Sequence, residues 1–188
     1  SWGPSKCKYR GMAGYDQNLN MQPRIAESWE INEDSSGWTF HLREGMKWSD
    51  GAPFTARDIE WWWQNDETNT TVSPSVGGAY VSGPDRTPMQ VEVLDDHTFT
   101  CTFADPKPLF IFELGRITRD FYLPGHYLSQ FHMDLTEDQD GLQAATDEAG
   151  FNSWEEYYVD RRYWYNNPDY PDVGPWVAKN ELANELFV

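Results

Sequence analysis

The residues of this chain with the most chemical potential are its acids, its four histidines and its tryptophans. Asp and Glu number 31 against 14 Lys and Arg, a formal net charge of −17. Any two of so many carboxylates can be imagined as the acid and base of a glycosidase. Such pairs arise by chance at this density, and sequence does not give their separation. The segment TEDQDGLQAATD sets Thr136, Asp138, Asp140, Gly141 and Asp147 at positions 1, 3, 5, 6 and 12 of an EF-hand-like loop. Both anchors depart from a calcium site, with Thr at position 1 and Asp where a bidentate Glu belongs. Acids gathered at the positive end of a helix dipole account for the same residues. His41, His97, His126 and His132 lack H-x3-H or H-E-x-x-H spacing, so no metal is implied. Neither G-x-S-x-G nor a Cys/His nucleophile signature nor a phosphate-cradling glycine loop occurs, and no cofactor is implied.

The tryptophans are the stronger signal. GMKWSDGAPFTARDIEWWW sets a turn rich in Gly, Pro and Asp directly before Trp61, Trp62 and Trp63. Consecutive helical residues point about 100° apart, so the three rings cannot share one surface. At least one belongs to the core with Ile59, and the others lie in a groove between layers. Aromatic platforms bind sugars and peptides, but rings wedged between helix and sheet are the commoner arrangement.

Composition narrows the partners. A pI near 4.4 opposes binding to nucleic acid or to an anionic membrane surface and leaves cationic or neutral ligands open. Aromatic residues make up 16% of the chain while mean hydropathy is −0.75, so burial must rest on large rings. No run approaches the roughly 18 apolar residues of a spanning helix, and SWGPSKCKYR lacks the apolar centre of a signal peptide. Cys7 and Cys101 can pair in an oxidising compartment or remain unpaired, and their spacing does not choose between the two. The sequon Asn69-Thr70-Thr71 matters only in a glycosylating host.

The elements that must position these residues are legible in outline. RIAESWEINEDSSGWTFHLREGMKW reads as two strands around a polar turn, with Trp38, Phe40 and Leu42 alternating against Thr39, His41 and Arg43. WSDGAPF breaks the strand. Thr55 as N-cap, Asp58 at N3 and Phe54 against Ile59 predict a helix from about 56 to 65. Residues 66–88 read as a long loop. MQVEVLDDHTFTCTFA predicts a second hairpin that turns at Asp95-Asp96 and carries Val91, Val93, Phe99, Cys101 and Phe103 in alternation. Short helical pieces follow Pro108 and in LPGHYLSQF. A helix over about 137–149 ends at Gly150 as C′, and Ser153 with Glu156 starts another through SWEEYYVDRRYWY, stopped by NNPDYP. The tail GPWVAKNELANELFV has no clear assignment.

The phrase IAESWEINEDSSGWTFHLREGMKWSDGAPFTARDIEWWW resembles the signature region of the family 5 extracellular solute-binding proteins, the receptors of peptide/nickel-type ABC importers. VEVLDDHTFTCTFADPKPLF looks like that family's next hairpin. LPGHYLSQFH, EAGFNSWEEYY and NNPDYPDVGPWV are similar to stretches of a Trp-rich branch. The resemblance is strongest over 25–63 and weaker after 105.

That resemblance implies an α+β, periplasmic-binding-protein-like fold (type II, cluster C), seen as a partial lobe with hairpins packed against helices. Residues 1–188 would be part of the first lobe with its smaller subdomain. The signature region would span 25–104 and a helical extension 105–188, with the second lobe absent. It implies a non-catalytic receptor that closes on its ligand by hinge motion. The ligand would be a peptide or an oligosaccharide, the partner a membrane permease, and nucleic acid is not expected. The location would be periplasmic or extracellular, with the full-length protein anchored as a lipoprotein. No ligand residue is carried over from the family. Trp154, Trp164 and Trp176 are the candidates for the cleft, because rings stack on sugar faces and line peptide side-chain pockets. The alternatives are a stand-alone carbohydrate-binding module with an exposed tryptophan strip and a glycoside hydrolase with a carboxylate pair. Neither accounts for the ordered phrase from 25 to 63.

Overall fold

The structure is a computed structural model, which describes residues 11–116, 121–164 and 167–174. Two hairpins form a four-stranded antiparallel sheet of β3 (Ala26–Ile31), β4 (Gly37–Leu42), β7 (Gln90–Asp95) and β8 (Thr98–Thr102), in the order β3-β4-β8-β7. Alternation in GWTFHL sends Trp38, Phe40 and Leu42 to the buried face. Strand register then builds rows of apolar side chains across the sheet. Trp29 pairs with Phe40, Phe40 with Phe99 and Phe99 with Val93, and the Phe40 and Phe99 rings stack at 5.1 Å. In the neighbouring row Trp38 pairs with Cys101 and Cys101 with Val91. Cys101 is a free thiol with no exposed surface, and burial raises its pKa. Cys7 lies outside the described residues.

The second hairpin turns one residue later than the sequence suggests. Asp95 stays in β7 opposite Thr98, and its carboxylate accepts the His97 backbone N–H at 2.8 Å, so the turn forms over Asp96 and His97. That turn is useful to its neighbours. The His97 carbonyl accepts from Leu42 N at 2.7 Å, and the Asp96 carbonyl accepts from Ala56 N at 2.8 Å.

Helix α1 (Ala56–Trp62) lies against the sheet. Its capping box is formed: the Thr55 hydroxyl serves the first turn, and the Asp58 carboxylate accepts from Thr55 N at 2.8 Å. Phe54 and Ile59 are both buried, as a hydrophobic staple requires. The helix continues as a single π turn over Trp63–Glu67, and the Trp63 carbonyl accepts from both Thr68 N and the Thr68 hydroxyl.

All three tryptophans are held by protein. Trp62 packs on Tyr80 and Phe121, with ring centroids 5.1 and 5.0 Å away, and Trp63 lies edge-on to Tyr80. Trp61 donates its indole N–H to Ser129 Oγ at 3.1 Å, and its ring covers Gly125 in helix α3 (Gly125–Leu128). A Cβ at Gly125 would stand 2.5 Å from Trp61 Cγ. Because the Trp61 indole is anchored, Gly125→Ala is expected to destabilise by about 1–3 kcal/mol, read from the midpoint of a urea unfolding curve.

The segment 66–88, expected as a long loop, is largely turns but carries short elements of its own. A 3-10 turn, Gly78–Tyr80, leads into a small hairpin of β5 (Val81–Ser82) and β6 (Thr87–Pro88), and Val72, Tyr80, Val81 and Ser82 are buried. Lys107 ties it down from outside, donating to the Gly78 and Val81 carbonyls at 3.2 and 2.7 Å while pairing with Glu113 at 3.3 Å. These contacts come from residues 25 or more positions away, which a local reading of Gly and Pro content cannot see.

The remaining elements close the core. β1 (Ala13–Tyr15) and β2 (Met21–Pro23) form a ribbon against helix α2 (Phe110–Arg116), where Gly115 makes room for Met21 and Tyr15. Helix α4 (Gln139–Glu148) begins two residues later than expected, capped by the Asp138 side chain on Gly141 N, and Gly150 takes φ +79° as its C′ residue. The acids of the EF-hand-like segment are therefore the first turns and outer face of a capped helix. Helix α5 (Trp154–Arg162) ends before Tyr163 rather than running through 165. The Arg161 carbonyl, which a continued helix would offer to the backbone, instead accepts from Asn167 Nδ2 at 2.8 Å.

Candidate functional site

Two of the three candidate tryptophans lie on or next to α5, so the site is built from that helix. Ser153 caps it by accepting from Glu156 N, and the Glu156 carboxylate reaches back to Asn152 N at 3.1 Å. This sets Tyr158 and Arg162, four residues apart, on one stripe facing the π turn of α1. Asp66 sits there, with its side chain 4% exposed. Its carboxylate accepts from Tyr158 Oη at 2.8 Å and from Arg162 NH1 at 2.7 Å on each oxygen. Burial opposes the Arg162 charge, but the adjacent Asp66 outweighs it and raises the guanidinium pKa. The pair fastens α5 to the helix that carries the tryptophans.

A second polar link lies at the other end of the helix face. Tyr127 Oη donates to Asn167 Oδ1 at 3.1 Å, and Asn167 is buried. Burial raises the Tyr127 pKa. Half-buried rings connect these links: Tyr127 to Phe131 at 5.4 Å, Phe131 to Tyr157 at 5.7 Å and Phe151 to Tyr157 at 5.4 Å. The Arg161 guanidinium lies over Tyr157 at 5.6 Å and is paired with Asp160 at 2.6 Å.

Trp154 is half-buried. Its ring packs 4.8 Å from His132 and 6.4 Å from Tyr158. His132 is 1% exposed and its Nε2 meets Asn69 Nδ2 at 3.0 Å, so the sequon asparagine is engaged inside the fold. Burial lowers the His132 pKa. Trp164 keeps 7% of its surface. Trp176 lies outside the described residues. Sequence reading missed Asp66, Arg162, Tyr158 and Asn167. Asp66 and Arg162 are 96 positions apart, and no spacing rule links them.

An open concavity lies elsewhere, at the strand ends of the sheet. It is an open groove of about 890 Å3 lined by Glu27, His41, Arg43, Glu44, Asp95 and His97 among others. Four carboxylates including Asp96 face one guanidinium, so the groove attracts cations, but water screens its exposed charges. Among the described residues no three His, Cys, Asp or Glu side chains gather in a way that could hold a metal.

Comparison with known proteins adds what the geometry alone does not. The profile described as Bacterial extracellular solute-binding proteins, family 5 Middle, matches residues 20–182. The periplasmic oligopeptide-binding protein OppA of Salmonella typhimurium is 37% identical over 117 residues, 56% of this chain and 21% of that protein. The periplasmic alpha-galactoside-binding protein of Rhizobium meliloti is 34% identical over 118 residues, 61% of this chain and 16% of that protein. The chain therefore spans about a fifth of the length of these relatives. Among solved structures, an oligopeptide-binding protein OppA superposes with a TM-score of 0.83 at 34% identity, covering 94% of this chain and 27% of that one. The periplasmic binding protein MelB of Agrobacterium fabrum, solved with stachyose, superposes at 0.65 with 22% identity over 93% of this chain and 25% of that one, a likeness of fold.

Proposed function

We propose, from the premise that this chain belongs to the family 5 bacterial extracellular solute-binding proteins, that it supplies part of the first lobe of a receptor that hands a short peptide to an ABC-importer permease. Residues 25–104 form the lobe's scaffold in this reading and 105–188 its helical extension. The observation that carries the peptide reading is the likeness to OppA over 94% of the chain at a TM-score of 0.83. An oligosaccharide is the second reading, favoured by the relative named for alpha-galactoside binding. The receptor is non-catalytic and works outside the cytoplasm, a reading supported by its periplasmic relatives, and the full-length protein is anchored to the membrane as a lipoprotein. The sheet, α1 and the Asp66–Arg162 pair act as a rigid back to the cleft, which Trp154, Trp164 and Trp176 help to line. The acidic surface suits neutral and cationic ligands.

Calorimetric titration of the whole receptor tests this. A mixture of tripeptides to pentapeptides is expected to bind saturably and to be recovered unaltered, while raffinose-type α-galactosides give no heat. Saturable heat with the galactosides alone selects the second reading, and heat with neither overturns both. Trp154→Ala is expected to weaken binding about tenfold if its ring contacts ligand, which corresponds to about 1.4 kcal/mol. Unchanged affinity in a folded variant removes Trp154 from the cleft.

A further inference from the structure

Of the four histidines only His132 is buried. Its ring is held between α5 and the segment after the π turn of α1: Trp154 lies 4.8 Å away, Tyr158 lies edge-on at 5.5 Å, and Asn69 Nδ2 meets Nε2 at 3.0 Å. Both ends of that contact are fixed by local backbone bonds. The His132 carbonyl accepts from Leu135 N and Thr136 N, each at 2.9 Å, and the Asn69 carbonyl accepts from Val72 N at 3.1 Å and Ser73 N at 2.8 Å. Asn69 Oδ1 is occupied by Thr71 N at 3.0 Å, which turns the amide nitrogen toward the ring. On the opposite side His132 Nδ1 faces Asp134 N at 3.3 Å. Both ring nitrogens therefore meet N–H groups, which call for acceptors.

We propose that Asn69 and His132 are positioning residues for ligand: the uncharged imidazole seats the Trp154 ring, and a proton taken up by His132 unseats it and weakens the receptor's hold on peptide. The inference rests on the reading that Trp154 lines the cleft. A neutral imidazole keeps one bare nitrogen for these donors. The imidazolium keeps none, so the Asn69 amide and the Asp134 N–H both lose their acceptor. Turning the Asn69 amide over restores one bond only by giving up the one from Thr71 N. The ring then shifts, and Trp154 packs directly on it.

The charges around the ring leave it neutral at pH 7. Asp134 on its own loop, together with Asp66 and the Asn65 carbonyl from the π turn, favours the imidazolium, yet burial outweighs all three and holds the His132 pKa below 6.5. Asp66 is already bonded to Tyr158 and to Arg162, the cation that α5 contributes. Because the folded pKa lies below the unfolded one, the stability linked to His132 is whole above about 6.5 and is lost as pH falls through the lower folded value. Ligand binding follows the same course, at full strength near neutrality and falling with acid.

The test is an NMR titration of ring signals in the intact protein without ligand, with His132 identified by its through-space couplings to the Trp154 indole. The His132 midpoint is expected below 6.5, and the Trp154 signals are expected to move with the same midpoint, a result that needs no variant. Asn69→Asp keeps an oxygen for Thr71 N and sets a carboxylate against Nε2. It is expected to raise the His132 midpoint by about one unit or more. Calorimetric titration with the mixture of tripeptides to pentapeptides then links ring to ligand. In the parent, affinity at the His132 midpoint is expected to be about twofold weaker than at pH 7.5, since half of the molecules hold the ring displaced. Asn69→Asp, whose imidazolium has an anionic partner, keeps its affinity over that interval. A parental midpoint at or above 6.5, Trp154 signals that ignore it, a midpoint unmoved by Asn69→Asp, or an equal loss of affinity in parent and variant overturns the inference. Failure of the cleft reading is seen separately, as unchanged affinity of Trp154→Ala at pH 7.5, and overturns the ligand half of the inference while the coincident ring titrations remain.

Discussion

Replacing Asp66 with alanine is expected to destabilise the protein by about 3–5 kcal/mol, the range for removing one partner of a buried ion pair. The loss has two parts. Arg162, with 17% of its side chain exposed, would keep a charge with no anion beside it. Tyr158, which has no exposed surface, would lose the acceptor for its hydroxyl. Lost attraction is the smaller share, so Asp66→Ala with Arg162→Met should be less damaging than Asp66→Ala alone. Urea unfolding of the two single variants and the double variant closes the cycle. A loss below about 1 kcal/mol in Asp66→Ala would mean that α5 is held by its rings rather than by the pair.

Trp38→Ala should be about as severe, at roughly 3–5 kcal/mol, for a different reason. Trp38 is 3% exposed and fills the space between Phe40, whose ring is 6.4 Å away, and Phe110 at 6.1 Å. Close-packed neighbours relax only partly into the cavity left behind. Its indole N–H also donates to the Lys107 carbonyl at 3.2 Å, beside the lysine that fastens segment 78–82. Trp38→Phe keeps much of the volume and drops the N–H, so it should cost less, about 1–2 kcal/mol. A thermal melt of Trp38→Ala indistinguishable from the parent would show that the sheet face is not the core.

The two variants separate two kinds of support. Trp38 belongs to the sheet, whose apolar face is set by strand alternation. Asp66 belongs to a joint between the signature helix and α5, and it matters only because both elements arrive there. Both contacts join elements that are distant in sequence.

Much of this architecture could be read before any coordinates. Both hairpins declared themselves by alternation, because a period of two puts every second side chain on the buried face whatever lies further off. Thr55 and Asp58 marked the start of α1, and Gly150 the end of α4, because caps answer to backbone groups within four residues. The conflict among Trp61, Trp62 and Trp63 was also legible, since helix geometry alone forbids a common face. The family phrase over 25–63 consists of these same local instructions, which is why it identified the family as well as the fold.

Tertiary structure decided what depends on partners far along the chain. It fastened segment 78–82 through Lys107, gave the Arg161 carbonyl near the end of α5 the Asn167 amide as its donor, and gave buried Asp66 the Arg162 guanidinium as its partner. It also brought His126 to Asp50 and the backbone of Asp172 to Ser49 at one turn. A window of sequence records which groups can ionise or bond. Whether they do so in water or out of it, and against which partner, is set by burial, which exists only once the chain has closed on itself.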